Sequence, residues 1–310
     1  MSLILGSHIS LNRGNKYLLG VVEESIFNGA NCFMIFTGPP QNKKRVPISE
    51  LFLGEAKKLA EKNGISFSNC LVHAPYIINP SSSNLENRDF MISFLSEEIK
   101  RTDAMGIPYI VLHPGYYVNS TLDEGINFLI ENLKLIFNEC KDTNVFICLE
   151  TMSGKKNQIG KTLEEISQII KGCDNHPKLG VCLDTVHLHD AGYDLSKKEE
   201  FLKKFDELIG LERIKVVHLG DSMNPRGSGK DRHANLDYGH IGFDILMEWA
   251  YEPLFKNLPI IVETPYWRES KNIKKLISPY KHEIQLIRNR IWKPIPNKKY
   301  LPIYDRNKFK

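Results

Sequence analysis

The 310-residue chain is 42% hydrophobic and 25% charged, which supplies a full core and excludes a disordered polymer. Its formal net charge of +4 permits a polyanionic partner without demanding one. No run of about 18 apolar residues occurs, and Met1-Ser-Leu-Ile-Leu-Gly-Ser-His8 lacks the basic start and long apolar stretch of a secretion signal, so the expectation is a soluble, cytoplasmic protein with no membrane partner.

Along the chain, short apolar runs alternate with longer amphipathic ones. The short runs are Leu3–Leu5, Cys32–Phe36, Phe67–Val72, Tyr109–Leu112, Val145–Leu149, Leu179–Leu183, Arg213–Leu219 and Pro259–Val262. Several are almost wholly apolar, as parallel strands covered on both faces should be. Helical patterns lie between them. One runs from Glu55 to Gly64 and closes on a residue suited to a helix C-terminus. Another begins at Thr162, with Glu165 at capping-box spacing. Eight strand–helix units in one chain predict a single (β/α)8 TIM barrel spanning 1–288. The rival is a doubly wound open sheet, which would need a switch-point signal such as GxGxxG after the first strand, and none is there. Residues 289–310 change character to a basic, Pro- and Lys-rich tail beyond the barrel. The six cysteines include no CxxC pair and read as reduced core residues.

Polar residues fall in register with the strand ends. His73 follows the third run, His113 the fourth, Glu150 the fifth, and Asp184 with His187 the sixth. His218 closes the seventh, Asp231 and His233 follow in its loop, and Glu263 follows the eighth. In a barrel these ends converge at the C-terminal mouth, where barrel enzymes place their chemistry. Each residue alone has a plain structural explanation, as a hydrogen-bonded core histidine or a helix cap. Nine together do not, because converging carboxylates repel one another and lose solvation unless cations or protons neutralise them. Five imidazoles and four carboxylates around one mouth make a polynuclear metal site the economical reading. His176, His189 and His282 read as structural or surface residues, while His8 and His240 are candidates for supporting the ligands from behind.

These residues also carry a family pattern. The motifs are His73-Ala-Pro-Tyr-Ile-Ile-Asn79, Val111-Leu-His-Pro-Gly115, Leu149-Glu-Thr-Met-Ser-Gly154, Gly180-Val-Cys-Leu-Asp-Thr-Val-His187, His218-Leu-Gly-Asp-Ser222, Gly227-Ser-Gly-Lys-Asp-Arg-His233 and Val262-Glu-Thr264. From Leu3 to about Arg288 the chain resembles the endonuclease IV family, the apurinic/apyrimidinic endonuclease family 2 of base-excision repair. The resemblance implies three zinc ions per chain, with manganese or iron able to replace part of the zinc. By resemblance, His73, His113 and Glu150 hold the first ion, and Glu150 bridges to the second with Asp184, His218 and Glu263. His187, Asp231 and His233 hold the third. It further implies a DNA-repair endonuclease that hydrolyses the phosphodiester 5′ to abasic sites, leaving a 3′-hydroxyl and a 5′-deoxyribose phosphate, and that trims blocked 3′ ends. Glu150 and Glu263 would be its catalytic carboxylates. Double-stranded DNA is the implied partner, with no obligate protein partner evident. Val186, Gly220 and Met223 depart from the family's usual Cys, Asn and Lys.

DNA contacts are expected on the mouth loops. Lys43, Lys44 and Arg45 follow the second run, and Arg226, Lys230 and Arg232 flank Asp231. Tyr76 and Ile77 suit a wedge pushed into the base stack, although Tyr-Ile-Ile as plain sequence more often packs a core. The resemblance decides for the wedge, and it offers Gln41 for the gap left by a missing base. The main alternative is a metal-dependent sugar isomerase or epimerase on a related barrel. Such enzymes usually hold one or two metals, and the extra set of His187, Asp231 and His233 counts against it. A non-catalytic nucleic-acid-binding barrel would be expected to have lost ligands.

Overall fold

The computed structural model describes residues 3–84, 88–270, 272–297 and 299–305. Eight strands are parallel to their neighbours: β1 Ile4–His8, β2 Cys32–Ile35, β3 Leu71–His73, β4 Tyr109–Leu112, β5 Phe146–Glu150, β6 Leu179–Asp184, β7 Ile214–Leu219 and β8 Pro259–Val262. They close in the order β1-β8-β7-β6-β5-β4-β3-β2, so the sheet has no edge and the open, doubly wound alternative is excluded. The strands are almost continuously buried, which explains their near-absence of polar residues before the last position.

Helices cover the outer face: α1 Leu18–Asn28, α2 Leu53–Lys62, α3 Arg88–Met105, α4 Leu122–Glu139, α5 Leu163–Gly172, α6 Thr185–Ala191, α7 Lys198–Leu208, α8 Phe243–Ala250 and α9 Tyr280–Asn289. Their apolar faces meet the barrel, with Trp249 of α8 and Phe205 of α7 among the largest fully buried side chains. Gly64 takes φ +71° beyond α2 and donates its N–H to Glu61 O, a left-handed stop that a side chain would strain. At α5 only half of the expected capping box forms. Glu165 N donates to Thr162 Oγ1, but the Glu165 carboxylate accepts from Gly160 N and Lys161 N instead of the Thr162 amide. α6 is an additional helix, inserted between β6 and the crossover helix α7.

Two small sheets flank the mouth. Asp221–Ser222 pairs antiparallel with His233–Ala234, bringing Ser222 opposite His233. Trp267–Glu269 pairs with Asn272–Ile277 and also with Tyr300–Leu301. The basic C-terminal segment therefore does not stand clear of the barrel as far as residue 305. Tyr300 stacks on Trp267 at 6.1 Å, and Tyr304 Oη lies 2.9 Å from His240 Nε2. Residues 306–310 of that segment lie outside the described residues. One expected strand is also shorter than read. Phe67–Asn69 is a single 3-10 turn, opened by Ser66 Oγ accepting from Ser68 N, and β3 starts only at Leu71.

Candidate active site

The barrel register builds the first part of the site. β5 ends on Glu150 and β6 on Asp184, and Asp184 stands directly opposite His218 of β7. β3 ends on His73, and His113 follows β4 at once. Glu263 follows β8, its N–H donating to Leu219 O at 3.1 Å, which places it beside the end of β7. His73, His113, Glu150 and Glu263 line a cavity of about 520 Å³ with His187, Asp231 and His233, while Asp184 and His218 lie beneath it within reach of Glu150 and Glu263. The structure thus brings all nine expected donors to one mouth.

Hydrogen bonds to backbone carbonyls fix how the imidazoles face. A carbonyl only accepts, so His73 Nδ1–H donates to Ala74 O at 2.7 Å, His187 Nδ1–H to Thr151 O at 2.9 Å and His233 Nδ1–H to Glu263 O at 2.6 Å. Each turns Nε2 toward the carboxylates, where a cation would replace the Nε2 proton. His218 is turned the other way, its Nδ1 lying 3.1 Å from Glu150 Oε1 and 3.2 Å from Glu263 Oε2. Glu150 Oε2 receives His73 Nε2 at 3.3 Å and His113 Nε2 at 3.0 Å.

The donor atoms fall into sets. His73, His113 and Glu150 form one, and Glu150, Asp184, His218 and Glu263 form a second that shares Glu150 with the first. Near the β7 loop, His187 Nε2 lies 3.0 Å and His233 Nε2 3.7 Å from Asp231 Oδ1. Asp184 also joins His187 and His233 as a set, so it stands between the second and third clusters. Asp184 Oδ2 is buried with no hydrogen-bond partner among the described residues, yet imidazole nitrogens of His218, His187 and His233 stand 3.8–3.9 Å away. Such a gap is long for a hydrogen bond and near the roughly 3.3 Å between donors sharing one tetrahedral zinc at 2.0–2.1 Å. The residues fit a shared cation. Cys182 also lies near Glu150 and His218, but burial pushes its thiol up to about 12, so it keeps its proton.

Electrostatics leave Glu150, Asp231 and Glu263 ionised, whereas burial raises the Asp184 carboxyl. Burial by itself would raise the Glu263 carboxyl, but the charge and hydrogen bond of His218 outweigh it and hold the group well below its ordinary value. Asp231 behaves likewise: burial raises it, and the hydrogen bond and charge of His187 bring it down to about 2. In the absence of metal, His187 stays protonated well above 6.5; burial opposes this, and Asp184, Asp231 and Glu150 prevail, while His218, likewise against burial, is raised by neighbouring Cys182 ahead of Glu263 and Glu150. Protons then do the neutralising that cations would otherwise do.

A protein named probable endonuclease 4 from Acholeplasma laidlawii (strain PG-8A) is 45% identical over 291 residues, covering 94% of this chain and 96% of that one. The chain belongs to the endonuclease 4 family. The family model that matches residues 27–290 is described as a xylose isomerase-like TIM barrel. The crystal structure of endonuclease IV from Thermus thermophilus superposes with a TM-score of 0.75 at 26% identity, covering 92% of this chain and 97% of that one. A D-tagatose 3-epimerase-like protein superposes at 0.67 with 20% identity, covering 92% and 96%, a likeness of fold alone.

As a member of the endonuclease 4 family, the chain presents its expected DNA-contacting residues unevenly. Tyr76 and Ile77 are 57% and 41% exposed, so they do not pack the core. The Tyr76 ring rests on His73 and His113, each at 5.5 Å, and faces the cavity. Ile77 N donates to Pro40 O, which sets the loop bearing exposed Gln41 beside this pair. Arg232 is exposed between Asp231 and His233. Arg45, by contrast, is not a mouth cation. Its guanidinium meets buried Glu98 at 2.8 Å and binds the carbonyls of its own loop, closing that loop onto α3. Arg226 is paired with Asp194. His8, Gln158, Thr264, Pro265 and Tyr280 line the cavity too. Position after the first apolar run hints at His8, which closes β1, and the Thr264 motif is visible, but no sequence signal marks Gln158 or Tyr280. Burial brings the His8 imidazole down to about 4, so it is neutral at physiological pH.

Proposed function

We propose that this protein binds three zinc ions and hydrolyses the DNA phosphodiester 5′ to abasic sites, leaving a 3′-hydroxyl and a 5′-deoxyribose phosphate, and that it trims blocked 3′ ends. The convergence of nine donors, seven lining one cavity of about 520 Å³ and Asp184 with His218 joined to them from below, carries this reading. His73, His113 and Glu150 would hold the first ion, Glu150, Asp184, His218 and Glu263 the second, and His187, Asp231 and His233 the third. Manganese or iron can replace part of the zinc, since imidazole and carboxylate suit all three. Bound there, zinc would supply Lewis acidity and bring the pKa of a bound water from 15.7 to about 7.

The chain's own groups account for the remaining steps. Four carboxylates in one pocket would repel a phosphate, so the site suits DNA only once they are neutralised. Glu263, a carboxylate at the mouth, can take a proton from the attacking water at the oxygen that His218 leaves free. Glu150, gripped by imidazoles on both oxygens, orients that water from the floor of the pocket. Tyr76 and Ile77 enter the stack at the lesion, where a nucleotide without a base costs less to extrude than the few kcal/mol of an intact one. Gln41 stands beside them to fill the gap, and Arg232 meets a phosphate. Six free, buried thiols suit a reducing cytoplasm.

The test is an abasic duplex oligonucleotide and a panel of free ketoses, each incubated with purified protein. The expected product is a nick 5′ to the lesion that a polymerase extends directly. Epimerised sugar with intact DNA would replace this reading with that of a sugar epimerase. Glu263→Gln should bind the duplex and lose cleavage by orders of magnitude. Near-normal turnover would remove Glu263 from the mechanism.

A further inference from the structure

We infer that Asp190 is a positioning residue for the third set of donors: it fixes the Asp231 carboxylate by holding that residue's backbone N–H. The inference rests on the metal reading above, in which Asp231 is a ligand.

Asp190 lies in the last turn of α6 and is 1% exposed. A buried carboxylate is costly unless compensated. No Lys, Arg or His pairs with it among the described residues, and it does not line the cavity. Its compensation comes instead from the segment that carries the ligands. Oδ1 accepts from Ser222 Oγ at 2.6 Å, while Oδ2 accepts from Asp231 N at 2.8 Å and Asn224 Nδ2 at 3.5 Å. Ser222 is the ribbon residue opposite His233.

Asp231 has reason to need such a hold. Its φ of +55° is left-handed, a conformation that costs a non-glycine residue about 1–2 kcal/mol and persists where surroundings over-determine it. Other bonds dock the same loop on the same short helix. Gly229 N donates to Asp190 O, Gly227 N to His189 O, and His189 Nε2–H to Asn224 O. α6 also carries His187 itself, three residues before Asp190. One seven-residue helix thus presents one ligand of the third set directly and sets a second through Asp190.

Zinc content at buffered free zinc, with chelator competition, tests this without relying on turnover. Asp190→Ala should weaken the third zinc about 10–100-fold, the usual cost of removing a partner that orients a ligand, and leave two ions in place. Asp190→Asn keeps an acceptor for the Asp231 amide and should bind within about threefold of the parent. If the alanine protein does not fold, Asp190→Ser is measured in its place, its hydroxyl being too short to reach the amide. Three tightly held ions in Asp190→Ala or Asp190→Ser would overturn the inference, and so would equal loss in Asp190→Asn. Asp231→Ala is the control. If it keeps every ion that the parent holds, the metal reading itself falls; if it loses one while Asp190→Ala loses none, only the role of Asp190 falls.

Discussion

The two sides of the mouth are built differently. On the β3–β8 side, His73, Glu150, Asp184 and His218 sit on strands, and Glu263 follows one directly; sheet register sets their spacing, as in the direct pairing of Asp184 with His218. On the other side, Asp231 and His233 hang on a loop and a two-residue ribbon. Their places depend on Asp190, which accepts from Asp231 N and from Ser222 Oγ, and on the Glu263 carbonyl, which accepts from His233 Nδ1–H. The strand side inherits rigidity from the fold itself, whereas the loop side needs a scaffold of its own. On the three-zinc reading proposed above, the third ion should accordingly be the easiest to lose, and the first two should leave together.

The harshest way to break this contrast is Glu150→Ala. Glu150 belongs to both strand-side sets, so its removal should empty both while the β7-loop donors keep their geometry. Each metal is worth several kcal/mol to the transition state, and 1.36 kcal/mol is tenfold in rate, so cleavage should fall at least about a thousandfold. Zinc content decides the point. A variant retaining three ions would show that the sets are not joined through Glu150.

The same contrast explains what the sequence could disclose. Buried parallel strands are nearly all apolar, so the first polar residue after each run marks the mouth; His73, His113, Glu150, Asp184, His218 and Glu263 were legible from position alone, and so was the closed barrel. Asp231 and His233 stood out through composition and motif. What hid were residues placed by loop folding. Gln158 reaches the cavity because its side-chain oxygen accepts from Ser153 Oγ and Lys155 N. Asp190 acts through an amide 41 positions onward. Arg45 read as a phosphate-tracking cation because its partner Glu98, 53 positions away, has no local signature. Phe67 read as strand because Ser66 turns the chain with a single side-chain oxygen.

Tyr76→Ala probes the rim between the two sides. The ring rests on His73 and His113 without a described bond to either, so zinc content should be unchanged. Binding to an abasic duplex should weaken by roughly 1–3 kcal/mol, the range for an aromatic stacked on a base. An equal loss on single-stranded and duplex substrates would mean that Tyr76 only stacks and does not wedge. Lost zinc would make it part of the strand-side support.

The smallest effect is expected beneath the loop side. Glu283 on α9 accepts from Asn235 Nδ2 and Leu236 N just beyond the ribbon, and from Thr264 Oγ1 just beyond Glu263. Burial raises its carboxyl from 4.5 to about 7, against the pull of those donors. The folded protein therefore keeps a proton that the unfolded chain releases above 4.5. The stability tied to that proton is complete below 4.5 and is lost as pH rises through about 7. Glu283→Gln keeps the carbonyl acceptor for Asn235 and Leu236, and its amide can donate to Thr264 Oγ1, but it cannot ionise. Thermal melts at pH 5 and pH 8 should then show the variant gaining on the parent at the higher pH, on the order of 1 kcal/mol, with all zinc retained. A constant difference between the two pH values would mean that the buried charge is already neutralised in the fold; lost zinc would mean that the loop side relies on charge as well as on hydrogen bonds.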